Sequence, residues 1–447
     1  MMKKLESWLM PIANTLSKNK VLISIRDGFI FALPMIVIGS IFLLISNFPI
    51  DGWSEFVASF AGKGWETNFD AVTSATFDCY AILGCMGIAY AYARENGVDK
   101  IECALLSLVN FLILAPKSFP DYVNANGKAF SGFAFANLGT KGIFLAMITA
   151  IFTVLMFKFV VKKHWVIKLP DGVPPAVMDS FAALIPAAFT MVVFFIVNII
   201  FTHTSFGNAP AFIYAVLQAP LMGVGRSAGF EVLYQFLSTL FWLFGINGPA
   251  VTNTIFSPIH QALTLENYEA TAAGLPMTNI FTAGFSDFFC NFGGGGSTLG
   301  LVIMMAFFAK SKRMKTLGKL SLPAAIFGIN EPIIFGFPIV LNPLMAIPFM
   351  LAPVLNTILA QIATQIGFIP ITIGVQLSWT TPIFISGFLV TGSFNAVILQ
   401  AVQLAMDMGI YYPFMRMQDI KYLEDEKNSD NKKDDLDDLS FDDLQLN

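Results

Sequence analysis

The chain has 447 residues, of which 55% are hydrophobic, 14% aromatic and only 13% charged, against about 25% charged in an ordinary soluble domain. A mean hydropathy of +0.68, with 46 Phe and 20 Met, excludes a water-soluble globule and points to repeated bilayer spans. Residues 1–415 carry 19 acidic and 21 basic groups while residues 416–447 carry 11 and 5, so the net charge of −4 describes a terminal appendage, and no nucleic-acid footprint is present.

In chain order, MMKKLESWLMPIANTLSKNK alternates Lys with Leu, Trp and Met and lacks both a continuous apolar core and a small-residue cleavage site. It reads as an amphipathic interfacial segment over 1–27 and not as a signal peptide. Most basic residues fall in five clusters, 3–26, 94–100, 158–168, 310–319 and from 416 onward. The positive-inside rule makes these the cytoplasmic turns, so each gap holds an even number of spans and both termini are cytoplasmic. The first span is 28–48, which holds no charge, and further spans are expected at 74–93, 103–120, 139–157 and 177–202. The loop VKKHWVIKLPDGVP, with Lys162, Lys163, Lys168, Pro170, Pro174 and Pro175, forms a rigid basic turn. Cys79, Cys85, Cys103 and Cys290 lie in apolar stretches without CxxC spacing and read as small core residues. A unit boundary is expected near 205, giving units 28–205 and 206–415.

The second half has a different texture. The 96 residues from 320 to 415 hold only two charges, Glu331 and Asp407, while prolines recur at 323, 332, 338, 343, 348, 353 and 382. Proline removes a backbone donor and clashes with the preceding turn, so broken helices or re-entrant hairpins are expected there, lining a cavity. The chain reads GGGGSTLG at 293–300, and FGINGP at 244–249 matches FGINEP at 327–332 in five of six positions. Two such interruptions suit paired half-helix tips around a midplane site.

Glu331 is the main candidate, because a carboxylate near the bilayer centre costs about 2.5–3.5 kcal/mol and needs a purpose, whether ligand contact or capping of freed amides. Arg226 is the only Lys or Arg between 169 and 309, so a neutral, hydroxyl-rich ligand is a simpler partner than a buried cation. Asn247 and Asn330 offer donor and acceptor together, and Trp379 offers a face for a sugar ring or a membrane-interface anchor. The glycines Gly293, Gly294 and Gly296, with Thr298, bring backbone close to a ligand or permit a bend. No GxxxxGK[ST] follows them, so nucleotide binding is not expected. His164, His203 and His260 show no metal spacing, and neither a metal nor a cofactor is expected. Asp287 and Asp407 are lesser candidates, since both could line helix ends.

Together these motifs resemble the membrane-embedded IIC permease of the bacterial sugar phosphotransferase system, in its lactose, cellobiose and chitobiose branch. The resemblance runs over nearly the whole chain and rests on IRDGFIFALPMIVIGS, WVIKLPDGVPPAV, the glycine segment at 293–300, INEPIIFGFPIVLNP at 329–343, and WTTP followed by TGS at 379–393. It implies an all-α polytopic membrane protein of the bacterial cell membrane with about ten transmembrane helices and two re-entrant hairpins. It further implies a homodimer formed by the first helices, a sugar held by the later part, and a separate IIB protein that carries phosphate on a cysteine. This chain has no added domain of IIB size, and its own cysteines fall in spans. The family commonly shows FGIHG where this chain has FGING, so Asn247 stands where a His is usual; Asn hydrogen-bonds but is no general base.

The expected function is therefore binding of a β-linked disaccharide and its translocation for phosphorylation by IIB, with Glu331 contacting hydroxyls and accepting the proton of the attacking 6-hydroxyl. The alternatives are a proton-coupled secondary sugar transporter using Glu331 as its proton site, and a non-transporting membrane scaffold or receptor. The acidic stretch from Glu424, part of the 416–447 tail, is expected to be a disordered, solvated extension.

Overall fold

The computed structural model describes residues 11, 15, 16, 18–46, 48, 52–123, 129–167, 175–337 and 339–437. Most of the expected N-terminal amphipathic segment, the turn at 168–174 and residues 438–447 lie outside them. The first helix, α1 (Lys20–Ser46), starts where Asn19 Oδ1 accepts from the amides of Val21 and Leu22 at 3.0 and 3.2 Å, an N-cap that satisfies donors the helix cannot. Short helices α2 (Trp53–Ala61) and α3 (Glu66–Thr76) lead into α4 (Tyr80–Asn96), which closes on left-handed Gly97. Asp99 then caps α5 (Lys100–Leu114) by accepting from Glu102 N at 2.8 Å.

Helices α1 and α4 meet backbone to backbone. A Cβ added at Gly28 would lie 2.4 Å from Ile88 N, and one at Gly87 would lie 2.4 Å from Gly28 O. Small residues permit this approach, which replaces the missing hydrophobic drive between helices in lipid with dispersion contacts.

Helix α5 ends six residues before the expected span limit of 120. Pro116 holds Ala115 extended, at φ −71° and ψ 134°, because a residue before proline is excluded from the helical region. The chain then forms the described residues' departure from an all-helical fold, a ribbon of β1 (Ser118–Val123) and β2 (Ala129–Ser131) pairing Ser118 with Ser131 and Phe119 with Phe130. One turn, α6 (Phe135–Leu138), precedes α7 (Ile143–Lys162) and α8 (Pro175–Thr202).

The first three basic clusters come together at one end of these helices. Lys20 Nζ donates to Glu95 O, Arg94 pairs with Asp27 at 2.7 Å, and Lys158 Nζ donates to Asn96 Oδ1 at 2.8 Å.

Helices α9 (Ala209–Ile213) and α10 (Ala219–Gly225) flank a π-turn at Tyr214–Gln218. Then follow α11 (Ala228–Leu243), α12 (Gly248–Ala272), α13 (Ala283–Phe289), α14 (Leu299–Phe308), α15 (Lys312–Ile326) and α16 (Glu331–Gly336). The chain closes with α17 (Pro343–Gln365), α18 (Ile385–Thr391) and α19 (Phe394–Asp437). Pro249, Pro332 and Pro343 occupy the first turns of α12, α16 and α17, where a missing N–H is harmless. The proline argument overreaches for α17, which runs 23 residues through Pro348 and Pro353; neighbouring side chains can re-satisfy freed carbonyls in a packed membrane helix.

Among the described residues, five helical stretches are long and apolar enough to cross a membrane: Lys20–Ser46, Glu66–Asn96, Thr140–Lys162, Phe181–Thr202 and Pro343–Gln365. One core joins α1, α4, α5 and α7 with Ile259, Leu263 and Tyr268 of α12. A second gathers Trp242, Leu301, Met305, Ile333, Phe349 and Tyr411.

The expectation of a disordered tail from Glu424 is corrected: α19 continues to Asp437. Its outer turns are anchored to the start of α15. Asp419 accepts from Lys310 N and Ser311 N at 3.0 and 2.9 Å, and Glu426 accepts from Lys312 N and Arg313 N at 3.1 and 2.8 Å. Burial pushes the Asp419 carboxyl up, but these amides, the Ser311 hydroxyl and Arg416 outweigh it and hold the group below the ordinary aspartate range.

Candidate functional site

The glycine segment between α13 and α14 is a tight loop with left-handed backbone at Gly293, Gly294 and Gly296. A Cβ at Gly294 would lie 2.6 Å from Asn330 Cγ and 2.7 Å from Gly328 O. Glycine is therefore required by both conformation and contact. The turn entering α16 presses on this loop, and Asn330 Nδ2 donates to Gly295 O at 2.7 Å. Thr298 is buried, and its hydroxyl closes the loop by donating to Gly293 O at 2.8 Å.

Asp407 braces the loop from behind. Ser297, left-handed at φ 53°, donates to Asp407 Oδ2 at 2.5 Å, and Asn356 Nδ2 reaches both Asp407 oxygens at 3.1 and 3.0 Å. A non-glycine residue in that region is strained and persists because its surroundings over-determine it. Tyr411 Oη adds a bond to Gly296 O at 2.6 Å.

Gly328, also left-handed, lies against Trp379, whose carbonyl oxygen and ring would be 3.3 and 3.6 Å from an added Cβ. Trp379 itself is 55% exposed. Glu331 opens α16, is exposed, and makes no hydrogen bond or ion pair with a described residue. Arg226 is engaged elsewhere, with Glu266 at 2.6 Å and Asn279 at 2.7 Å.

Asn247 caps α12, accepting from Ala250 N at 3.0 Å, and is exposed. The turn it ends is joined to the same region: Leu341 N donates to Leu243 O at 2.8 Å, and Trp242 lies under Gly295 and edge-on to Phe335. The structure thus gathers Gly293, Gly294, Gly296, Asn330 and Trp379 into one place, with Glu331 following Asn330, Thr298 in support and Asn247 connected through 242–245. Beside them lies a narrow cleft lined by Asp287, Asn291, Gly293, Gly328, Trp379 and Ser386.

Sequence reasoning passed over Trp242, Asn291, Asn356 and Glu231. His260, which shows no metal spacing in the sequence, is buried within α12 with Nε2 2.8 Å from Glu231 Oε2. The available signal was Glu231 as a carboxylate within a long apolar helix pattern.

An apolar helical chain with broken helices around a polar cleft is a polytopic membrane transport protein. The family model described as phosphotransferase system, EIIC, matches residues 26–353. The chain is 37% identical over 425 residues to the cellobiose-specific EIIC component of Geobacillus stearothermophilus, covering 93% of this chain and 94% of that one. It is 36% identical over 428 residues to the lichenan permease IIC component of Bacillus subtilis (strain 168), covering 95% of each. The crystal structure of the transporter ChbC, the IIC component of the N,N'-diacetylchitobiose-specific phosphotransferase system, superposes with a TM-score of 0.91 at 40% identity, covering 95% of this chain and 99% of that one. The chain belongs to the phosphotransferase-system EIIC family and is a multi-pass sugar permease component.

Proposed function

We propose that this permease binds a β-linked disaccharide of the cellobiose, chitobiose or lactose type and presents it to a separate, phosphorylated IIB protein. The observation that carries this reading is an exposed Glu331, unpaired among the described residues, on a turn that also packs against the partly exposed Trp379. A carboxylate accepts charge-assisted bonds from hydroxyls, and an indole face covers the apolar side of a pyranose. Asn330, Asn247 and the Gly293, Gly294, Gly296 and Thr298 loop complete the set of contacts. In the transfer, the sugar 6-hydroxyl attacks the phosphorus of IIB phosphocysteine. An O–P bond forms, the S–P bond breaks to leave the IIB thiolate, and the hydroxyl proton passes to Glu331.

In this reading the chain has about ten spans and two hairpins, tipped at 244–249 and 327–332. Residues 28–205 form the homodimer, 206–415 carry the sugar, and both termini face the cytoplasm, where IIB docks. The shared end of the first three basic clusters supports that orientation.

Glu331→Gln, tested for sugar binding and for IIB-dependent uptake in sealed vesicles, should weaken binding and abolish accumulation of phosphorylated sugar. Wild-type behaviour in both assays would refute the role. Uptake of free sugar that collapses with a proton gradient would favour the proton-coupled alternative, and binding without uptake would favour a receptor.

A further inference from the structure

Behind the cleft, a chain of buried polar groups runs from α12 through α11 to the loop after α13. Glu231 Oε2 lies 2.8 Å from His260 Nε2. Its other oxygen, Oε1, accepts from Gln235 Nε2 at 2.7 Å and from Ser286 Oγ at 2.7 Å. Gln235 Oε1 in turn accepts from Asn291 Nδ2 at 2.6 Å. Asn291 Oδ1 is buried and has no partner among the described residues, and Asn291 is part of the cleft wall with Trp379, Gly293 and Gly328.

This chain has a direction. Glu231 Oε1 accepts from Ser286 Oγ as well as from Gln235 Nε2, and Ser286 Oγ itself accepts from Gln235 Nε2 at 3.0 Å, so Oε1 is the acceptor at this end of the chain. Gln235 must therefore turn its NH₂ toward Glu231 and its carbonyl toward Asn291. Asn291 must answer with its own NH₂, which leaves its carbonyl oxygen unspent. Either amide flipped alone would set two acceptors or two donors face to face. A buried acceptor without a donor is costly, and a hydroxyl entering the cleft would relieve it.

We infer that the buried Glu231–His260 pair is a positioning device for the sugar site: acting through Gln235, it holds Asn291 so that Oδ1 accepts a hydrogen bond from one sugar hydroxyl. This inference rests on the reading that the cleft beside Trp379 holds the sugar. Asn291 is the contact residue, while Glu231, His260 and Gln235 act through it.

The test uses the full chain purified in detergent. Binding of cellobiose, chitobiose and lactose is measured, followed by the monodeoxy derivatives of whichever binds. On the wild type, one monodeoxy sugar should bind about ten- to a hundredfold more weakly than its parent, the cost of an unmet buried acceptor. Asn291→Ala should bind parent and that derivative alike. Gln235→Leu, which cuts the chain while leaving Glu231, His260 and Ser286 in place, should erase the same discrimination at the same hydroxyl. Glu231→Leu should do likewise, and Glu231→Gln should restore it by offering its own carbonyl to Gln235.

A Gln235→Leu protein that discriminates as the wild type does, or that loses affinity evenly across the panel, would overturn the inference while leaving the sugar site standing. Failure of the wild type to bind any of the three disaccharides would overturn the sugar-site reading and this inference with it.

Discussion

Gly248 and Glu331 occupy the same position in the repeated hexapeptide, and each is the first residue of a helix. Their surroundings are opposite. A Cβ at Gly248 would fall 1.8 Å from Ser238 O, whereas Glu331 is exposed. One copy of the motif is pressed into α11 and admits no side chain, while the other is left open and carries the carboxylate. Gly248→Ala should therefore cost at least the 1–3 kcal/mol typical of overpacking, roughly, because the obstacle is backbone. Glu331→Ala should change stability by about 0.5 kcal/mol or less while removing uptake. Thermal unfolding of both variants in detergent, beside vesicle transport, checks the contrast.

Gly294→Ala should fail for two reasons at once. Its φ of 90° is unfavourable for any L side chain, and the new methyl would strike Asn330 and Gly328. A loss of about 1–3 kcal/mol is expected from the backbone conformation alone, together with loss of sugar binding as the 328–331 turn is displaced. Unfolding and equilibrium binding on one preparation measure both.

The anchoring of α19 on α15 should be sensitive to acid. The Asp419 carboxyl is held below its ordinary value in the folded chain, so its stabilisation is fully present above the unfolded value, near about 4, and is lost as pH falls through the lower folded value. Wild type should therefore lose stability over that acidic window more steeply than Asp419→Asn, and the two curves should converge at the acid end. Unfolding temperature against pH for the two proteins tests this.

Removal of the acidic tail should depend on where the cut falls. A chain ending after Asn428 keeps Glu426 and should behave as wild type. One ending after Leu423 loses the carboxylate that accepts from Lys312 N and Arg313 N, and a lost cap of this kind costs about 1 kcal/mol. Limited proteolysis near residue 312 should report the difference.

Legibility varied along the chain for physical reasons. Helices α1, α7 and α8 were readable because long apolar runs with lysine or arginine near at least one end have few alternatives in a bilayer. The early end of α5 was readable in principle from Pro116, but hydropathy averaged across it. Glu331 stood out because its charge is nearly solitary. Glu231 and His260 did not, since they are 29 residues apart and only the packing of α11 against α12 brings them to 2.8 Å.

By itself, the sequence determined that this chain lives in a membrane, that its helices break at 293–298 and 327–330, and that two carboxylates, Glu331 and Asp407, interrupt a long and otherwise uncharged stretch. Those are properties of local composition and short-range backbone preference. Tertiary structure alone decided that Asp407 braces a loop, that Arg226 is engaged by Glu266 and Asn279, that one hexapeptide copy must have glycine at its fifth position while the other is free to carry Glu331 there, and that Asn291 presents an unspent acceptor. Each of these depends on which distant backbone or side chain arrives within a few ångströms, and sequence spacing does not encode that distance.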